Sequence, residues 1–514
     1  MRRNMMEGLA VAVVLSSVAT ASAHPRFEPR PIDPHVYGGG WEHFVGGGLA
    51  AFDCNGDDLP ELYAAGGENA AQLFLNRSQQ GDTLRFETQT PASLALTGAI
   101  GAYPLDIDGD GQLDLAILRV GENLLMRGMG DCAFARFEGL NFDGGDSWTT
   151  AFSATWETGE RLPTLAFGNY VDRSNPEGPF EACDANILLR PNGDHYQSPT
   201  LLTPGYCALS MLFSDWGRQG RADLRVSNDR HYYVRGGEEQ LWAMEASPRL
   251  FGPADGWQSH QLWGMGIATR DLNGDGLSEV YLTSMGDQRL QLIEPEADAP
   301  TFKDAPFEAG ATAHRPYTGG DGRPSTGWHA AFGDVQNDGL ADLFVTKGNV
   351  EQMPGSAMDD PNNLLVGQDA GDRGLRFAEV GLEAGIASLH RSRGAILTDL
   401  NLDGREDLAV VNRGAPMELY ENVTPETGAW LQVELRQQGT NTRAVGAFVE
   451  VRSDDQLWTQ EATVGGGHAG GNAGALHFGL GETDTVEARV HWPDGLIGEW
   501  QAMTTNQRVT LTRD

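Results

Sequence analysis

The stretch LDIDGDGQLDLAIL, Leu105 to Leu118, places carboxylates at Asp106, Asp108, Asp110 and Asp114 and then turns apolar. Counted from Asp106, the acids stand at positions one, three, five and nine, with Gly111 at six. Alternate side chains of a tight loop can converge on one point, and the glycine permits the turn that lets a backbone carbonyl join them. Such a set of hard oxygens suits Ca²⁺ better than Mg²⁺, which demands stricter octahedral geometry and keeps more water. Zinc is disfavoured because neither thiolate nor imidazole enters the set. An EF-hand begins with the same spacing, but it needs an acid at position twelve, where this stretch has Ile117.

Four further copies offer comparable sets. They are Asp53, Asn55, Asp57 and Glu61; Asp271, Asn273, Asp275 and Glu279; Asp334, Gln336, Asp338 and Asp342; and Asp399, Asn401, Asp403 and Asp407. Two worn copies read AFGNYVDRSNP from Ala166, anchored near Asn169, and SDWGRQGRADLRV from Ser214, anchored at Asp215. Val171 and Gly217 stand there where ligands belong, so these two are expected to be ion-free. About five calcium sites are thus predicted. Their role is expected to be structural, because an ion saturated by the protein leaves little room for substrate.

Most anchors are separated by about 50 to 65 residues, close to one four-stranded blade. Around Asp106 the order is strand, acidic turn, strand, break at GEN, strand, turn at MGD, strand. Seven such units predict an all-β fold: a seven-bladed β-propeller, since a lone twisted sheet cannot bury both faces until neighbours stack around an axis. Several blades end in an Arg-Phe element: Arg85-Phe86-Glu87, Arg136-Phe137-Glu138, and Arg376-Phe377 ahead of Glu379. The last blade lacks one, and Arg26-Phe27-Glu28 supplies it from the other end of the chain. Residues near Phe27 are therefore expected to close the ring. The division expected is an export signal over 1–23, the propeller over 24–425 and a small β-rich domain over 426–514.

Export is read from Arg2 and Arg3, the apolar LAVAVVLSSVATA and the small-residue ASA before His24. The apolar stretch is too short for a bilayer helix, so no membrane insertion is expected after signal removal, and the destination is periplasmic or extracellular. A formal net charge of -36 excludes nucleic acid as an expected partner and favours cations. In an exported chain the four cysteines are expected to pair. Cys54 and Cys132 fall on one propeller face in adjacent blades, and Cys183 and Cys207 on the other; Cys54–Cys132 with Cys183–Cys207 is the only connectivity that joins same-face cysteines.

The ends of the second strands lie on the face opposite the acidic turns. Arg119, Arg230, His231 and Lys347 arrive there, with Trp263, Trp328 and His329 on incoming first strands. These are the candidate ligand or catalytic residues, and the stretches NDRHYY and TKGNVE carry the most chemistry. Loops on a rigid frame can converge on one axial funnel. His468, within GGGHAGG, is expected in a close-packed turn. No G-x-S-x-G elbow, H-E-x-x-H helix or phosphate-cradling glycine loop with lysine occurs, so hydrolase, zinc protease and NTPase readings lack their parts.

The acidic motifs resemble the FG-GAP/VCBS calcium-loop repeats of integrin-type propellers. WLQVELRQQGTNTRAVGAFVEVR from Trp430, GGGHAGGNAGALHFGLG from Gly465 and VHWPDGLIGEW from Val490 resemble the ASPIC/UnbV domain. Together they are similar to the cartilage acidic protein family, in its bacterial branch. That resemblance implies a secreted calcium-binding propeller with a β-rich C-terminal domain. Two functions follow as expectations. One is a binding protein whose open face takes a glycan, a protein or a small molecule. The other, implied by the link of some family members to hetero-Diels-Alder cyclisation, is a cofactor-independent cyclase of a quinone-methide-like molecule. There Trp263 and Trp328 would stack on the substrate, and Arg, His or Lys donors would stabilise charge on oxygen.

Overall fold

The computed structural model describes residues 23–175, 182–229, 236–294, 299–369, 375–453 and 456–513. The expected export signal, apart from Ala23, lies outside the described residues, as do Arg230 and His231. Seven four-stranded antiparallel units follow one another as the blades of a propeller. Their innermost strands are Leu49–Phe52, Ala99–Leu105, Ser147–Thr155, Ala208–Ser214, Gly264–Arg270, Gly327–Gly333 and Arg391–Thr398. Most of these read as runs of small and apolar residues because they are covered on both faces, by the neighbouring blades and by the axis; Ser147–Thr155 is the exception.

The seventh blade takes its outer strand, Phe27–Arg30, from the other end of the chain, in antiparallel register from Phe27 opposite Asn422 to Arg30 opposite Leu419. Arg30 Nε donates to Glu421 Oε2 at 2.7 Å, so the closure is pinned by charge as well as by the ladder. Cys54 bonds to Cys132 and Cys183 to Cys207, the connectivity read from the sequence.

The third blade corrects one expectation. Asn169 does not anchor an acidic turn; it ends the second strand, Thr164–Asn169. The innermost strand is the polar-looking Ser147–Thr155, and the turn on the acidic face runs from residue 156 to 163. Threonines and serines in that strand hide its burial from a reading of apolar periodicity. Thr150 Oγ1, for example, is fully buried and donates to Ala208 O at 2.5 Å.

Past the seventh blade the chain builds two more sheets, one of Leu476–Gly481, Ala429–Gln437 and Gln507–Arg513, the other of Leu457–Glu461, Phe448–Arg452, Thr485–His491 and Gln501–Thr504. They share a core that includes Leu431, Val433, Val449, Val451, Phe478 and Ala488. Between them the glycine-rich segment 464–473 dips into the propeller axis. Val464 bridges to Ala154, Gly465 to Leu212, Gly467 to Ile267, Gly470 to Ala102 and Asn472 to Ala51. The approach is so close that a Cβ on Gly101 would lie 1.7 Å from the Ala469 carbonyl oxygen. At the turn of this segment His468 is buried, its Nε2 accepting from Gly46 N at 3.1 Å. Among the described residues no helix is long and apolar enough to cross a membrane.

Candidate metal centres and the open face

Each of the five acidic turns joins an innermost strand to its second strand. The carboxylate at position one folds the loop by accepting backbone N–H groups on both oxygens. Asp106 takes Gly109 and Gly111, both at 2.9 Å; Asp271 takes Gly274 and Gly276; Asp399 takes Asp403 and Gly404. Position nine begins the second strand and ties the turn to the third strand, as Asp114 accepts from Ile107 N and Gly128 N, and Asp407 from Leu400 N and Asn422 N. Positions four and six occupy the left-handed region, with φ of 75° and 90° at Gly109 and Gly111, and 57° and 87° at Leu402 and Gly404. In the second blade the result is that ligand oxygens of Asp106, Asp108 and Asp114 all lie within 4.8 Å of one another.

So many buried acids are costly without a counter-charge. Burial pushes Glu61, Asp114 and Glu279 up to about 8, and it drives Asp342 and Asp407 well above the usual carboxylate range, with neighbouring aspartates adding to the rise. Arg127 pairs with Asp108 and Asp110, both at 2.8 Å, and Arg405 pairs with Asp403, which offsets only part of that charge. At position three of the last turn, Asn401 Oδ1 is buried without a hydrogen-bond partner, although its amide nitrogen donates to Asp82 O at 2.8 Å. A bare carbonyl oxygen among Asp399, Asp403 and Asp407 fits a hard cation. Calcium bound there would neutralise the acids and cross-link the turn.

The fourth blade shows the same turn without that donor set. Asp215 accepts from Gln219 N and Gly220 N at 2.7 Å each, and Arg218 and Gly220 have φ of 51° and 78°. Positions three and five, however, are Gly217 and Gln219. Asp223, at position nine, is satisfied by the Trp216 indole N–H at 3.0 Å and by Arg221 Nε at 2.9 Å.

The C-terminal sheets dock on this face. Thr442 Oγ1 donates to Asp106 Oδ2 at 2.5 Å, Gln432 Nε2 to Asp399 Oδ2 at 2.7 Å, Trp458 Nε1 to Gly339 O at 2.9 Å and Arg508 Nη1 to Asp58 O at 3.1 Å. Arg218 in the fourth turn donates to Glu450 Oε1 at 2.8 Å.

On the opposite face the expected residues separate into two groups. Trp328 is fully buried, with the Arg393 guanidinium 3.9 Å from its ring centre and its N–H donated to Gly348 O. His329 is buried too, its Nδ1 accepting from His468 N at 3.0 Å, and burial lowers its pKa to about 4. Lys347 donates to Ser325 Oγ at 2.9 Å, Ser325 donates on to Asp360, and burial brings the lysine down to about 8. Trp328 and His329 stand in the interior rather than on a ligand surface because the glycine-rich segment fills the axis that was expected to form a funnel, and Lys347 is buried instead against Ser325 and Asp360. Arg119 remains near the surface, donating to Thr97 O and Glu122 O at 3.1 Å each, and Trp263 is half-buried.

Among the described residues this face opens in a cleft of about 400 Å³ lined by Trp41, Glu42, His43, Glu68, Trp148 and Arg173 among others. Trp41 is 43% exposed and packs edge-on against Trp148 at 5.6 Å. Arg173 bridges Glu42 and Asp146 at 2.6 and 2.7 Å. The Trp41–Phe44 stretch escaped the sequence reading, which assigned this part of the chain only to ring closure. The signal available was WEHF standing between two glycine runs.

The ASPIC and UnbV family matches residues 437–514, and the FG-GAP-like repeat matches residues 53–117. No curated protein matches the chain. Solved structures resemble it remotely. BBS1N in complex with ARL6DN has a TM-score of 0.45 at 12% identity, covering 78% of this chain and 98% of that one. The extracellular domain of the putative hybrid two component system BT4673 from B. thetaiotaomicron has a TM-score of 0.41 at 8% identity, covering 96% and 60%. The Dos1 propeller has a TM-score of 0.34 at 11% identity, covering 74% and 95%.

Proposed function

We propose that this chain is an exported, calcium-stabilised propeller of the cartilage acidic protein type that binds a small molecule, glycan or protein on the face opposite its acidic turns. One observation carries the reading. The C-terminal sheets dock on the acidic face through Thr442, Gln432, Trp458 and Arg508, while among the described residues the Trp41 cleft opens to solvent on the other face. An exposed indole beside paired charges is a common composition for a recognition surface. Two disulfides fit a periplasmic or extracellular setting. Burial of Trp328 removes one of the two rings on which cyclisation of an aromatic substrate would rely.

The test is a thermal-shift screen of the calcium-loaded mature chain against panels of glycans and small aromatic electrophiles. A saturable shift that Trp41→Ala abolishes, with calcium-dependent melting unchanged, is the expected result. A shift that survives both Trp41→Ala and Arg173→Ala would place recognition elsewhere and overturn the assignment of this face.

A further inference from the structure

A second recess lies on the acidic face, where the third and fourth blades meet the C-terminal sheets. It measures about 360 Å³ and is lined by Trp156, Arg218, Arg221, Met244, His491 and Ile497, among others. It opens beside the two turns that lack a calcium donor set, so no bare acids of positions three and five face it; those positions in the fourth blade are Gly217 and Gln219.

The acids in its wall are already engaged. Asp215 accepts from two backbone N–H groups, Glu461 from Ser214 Oγ at 2.5 Å and Asp215 N at 2.9 Å, and Glu157 from Arg190 Nε at 2.7 Å and Thr164 Oγ1 at 2.9 Å. Donors are in surplus. Arg221 spends Nε and Nη2 on Asp223, and among the described residues its Nη1 donates to nothing, with the side chain 44% exposed. Among the described residues the Trp156 indole N–H likewise has no partner. Arg218 donates to Glu450 and His491, which holds a second guanidinium at the wall. The remaining lining mixes the hydroxyls of Thr155 and Thr158 with apolar side chains such as Met244, Val445, Phe448 and Trp492, and Ile497 is 57% exposed. A site with satisfied acids, spare guanidinium donors and an aromatic-aliphatic wall selects a ligand that brings an acceptor and an apolar body.

We propose that this recess binds a small organic carboxylate with an aromatic or aliphatic body, its carboxylate at Arg221 and Arg218 and its body against Trp156, Met244 and Ile497. The site is independent of the cleft on the opposite face.

The experiment is isothermal titration of the full calcium-loaded chain with phenylacetate and with its neutral isostere phenylacetamide. A ligand of this size is expected to bind with a Kd of about 1 mM, and the amide at least tenfold more weakly. Arg221→Gln should weaken phenylacetate about tenfold. Because Arg221 also serves Asp223, Ile497→Asp provides a second variant at an exposed position: a negative charge there should weaken phenylacetate several-fold without changing melting. Trp41→Ala should leave binding unchanged. Equal affinity for acid and amide, no saturable heat from either ligand, or parent-like binding by both recess variants would overturn the proposal.

Discussion

The turns of the fourth and seventh blades follow one backbone course with opposite electrostatics. Both place positions four and six in the left-handed region, at Arg218 and Gly220 in one and at Leu402 and Gly404 in the other. Both fold around a first aspartate that accepts backbone N–H groups, Asp215 or Asp399. They part at positions three, five and nine. The seventh turn brings Asn401 with a bare oxygen, Asp403, and the buried Asp407, whose partners are backbone amides alone. The fourth turn brings Gly217, Gln219 and Asp223, and answers Asp223 with an arginine and an indole. The shape of the turn is therefore local chemistry of the first aspartate and two left-handed residues. The demand for a cation is carried separately, by three side chains.

The largest expected effect of this difference is on the whole molecule. Removing calcium with a chelator should lower the melting temperature by more than about 10 °C, since each site loaded at a hundred times its Kd contributes about 2.7 kcal/mol. Calorimetry with and without added calcium measures it. Unchanged melting after verified ion removal would mean that all five turns behave as the fourth does.

Next in size is the pH response of the calcium-free chain. Glu61, Asp114 and Glu279 have folded pKa values raised to about 8, above those of the unfolded chain near 4. The folded state then binds more protons than the unfolded state, so stability is full below about pH 4 and is lost as pH rises toward 8. The apo protein should melt higher at pH 6 than at pH 8. With calcium bound the carboxylates must be ionised, and the order should reverse. The same order with and without the ion would deny these three acids a part in binding it.

The single-turn comparison is smaller. Asp407→Asn should reduce bound calcium by one equivalent, whereas Asp223→Asn should leave the stoichiometry unchanged, both read by metal analysis of dialysed protein. Loss of an ion from the Asp223 variant would show that the fourth turn is a site after all, and would erase the contrast.

Much of this architecture was legible because its chemistry is local. The acidic turns and the cysteine pairing each depend on a few residues whose spacing states their role. The Arg-Phe elements stand as expected at Phe86 and Phe377, but in the second blade Phe134, opposite Gly128, takes that place. Phe137 of Arg136-Phe137-Glu138 lies three residues beyond it, because FARF offers two phenylalanines. The closing strand at Phe27 could be found because it repeats a motif missing from the seventh blade. The third blade was misplaced because its innermost strand hides buried hydroxyls such as Thr150 and Ser153, which alternation rules count as polar. The interior placement of Trp328, His329 and Lys347 was not legible either. For Trp328 and His329 it depends on a segment more than a hundred residues away in sequence filling the axis, and a glycine run does not reveal what it packs against; for Lys347 it depends on Ser325 and Asp360, which the strand pattern does not bring beside it.

The finest test concerns the first turn, the one acidic turn tied by a disulfide. Cys54 stands at its second position, donates its backbone N–H to Glu61 Oε2 at 3.0 Å and is bonded to Cys132 of the next blade, whose N–H returns to Cys54 O at 3.0 Å. The bridge thus holds in place the loop that delivers Glu61, and ordering a loop in advance lowers the cost of binding. Replacing both cysteines with serine should weaken calcium at this turn several-fold in a competition titration, while the full complement of ions is still taken up at saturation. The pair Cys183 and Cys207, on the opposite face, should have no such effect when replaced in the same way. Coupling runs both ways, so calcium should also shift the dithiol–disulfide equilibrium of the first bridge toward the bonded form and leave the second unaffected. Equal calcium affinity with and without the Cys54–Cys132 bond would reduce that bridge to a link between blades.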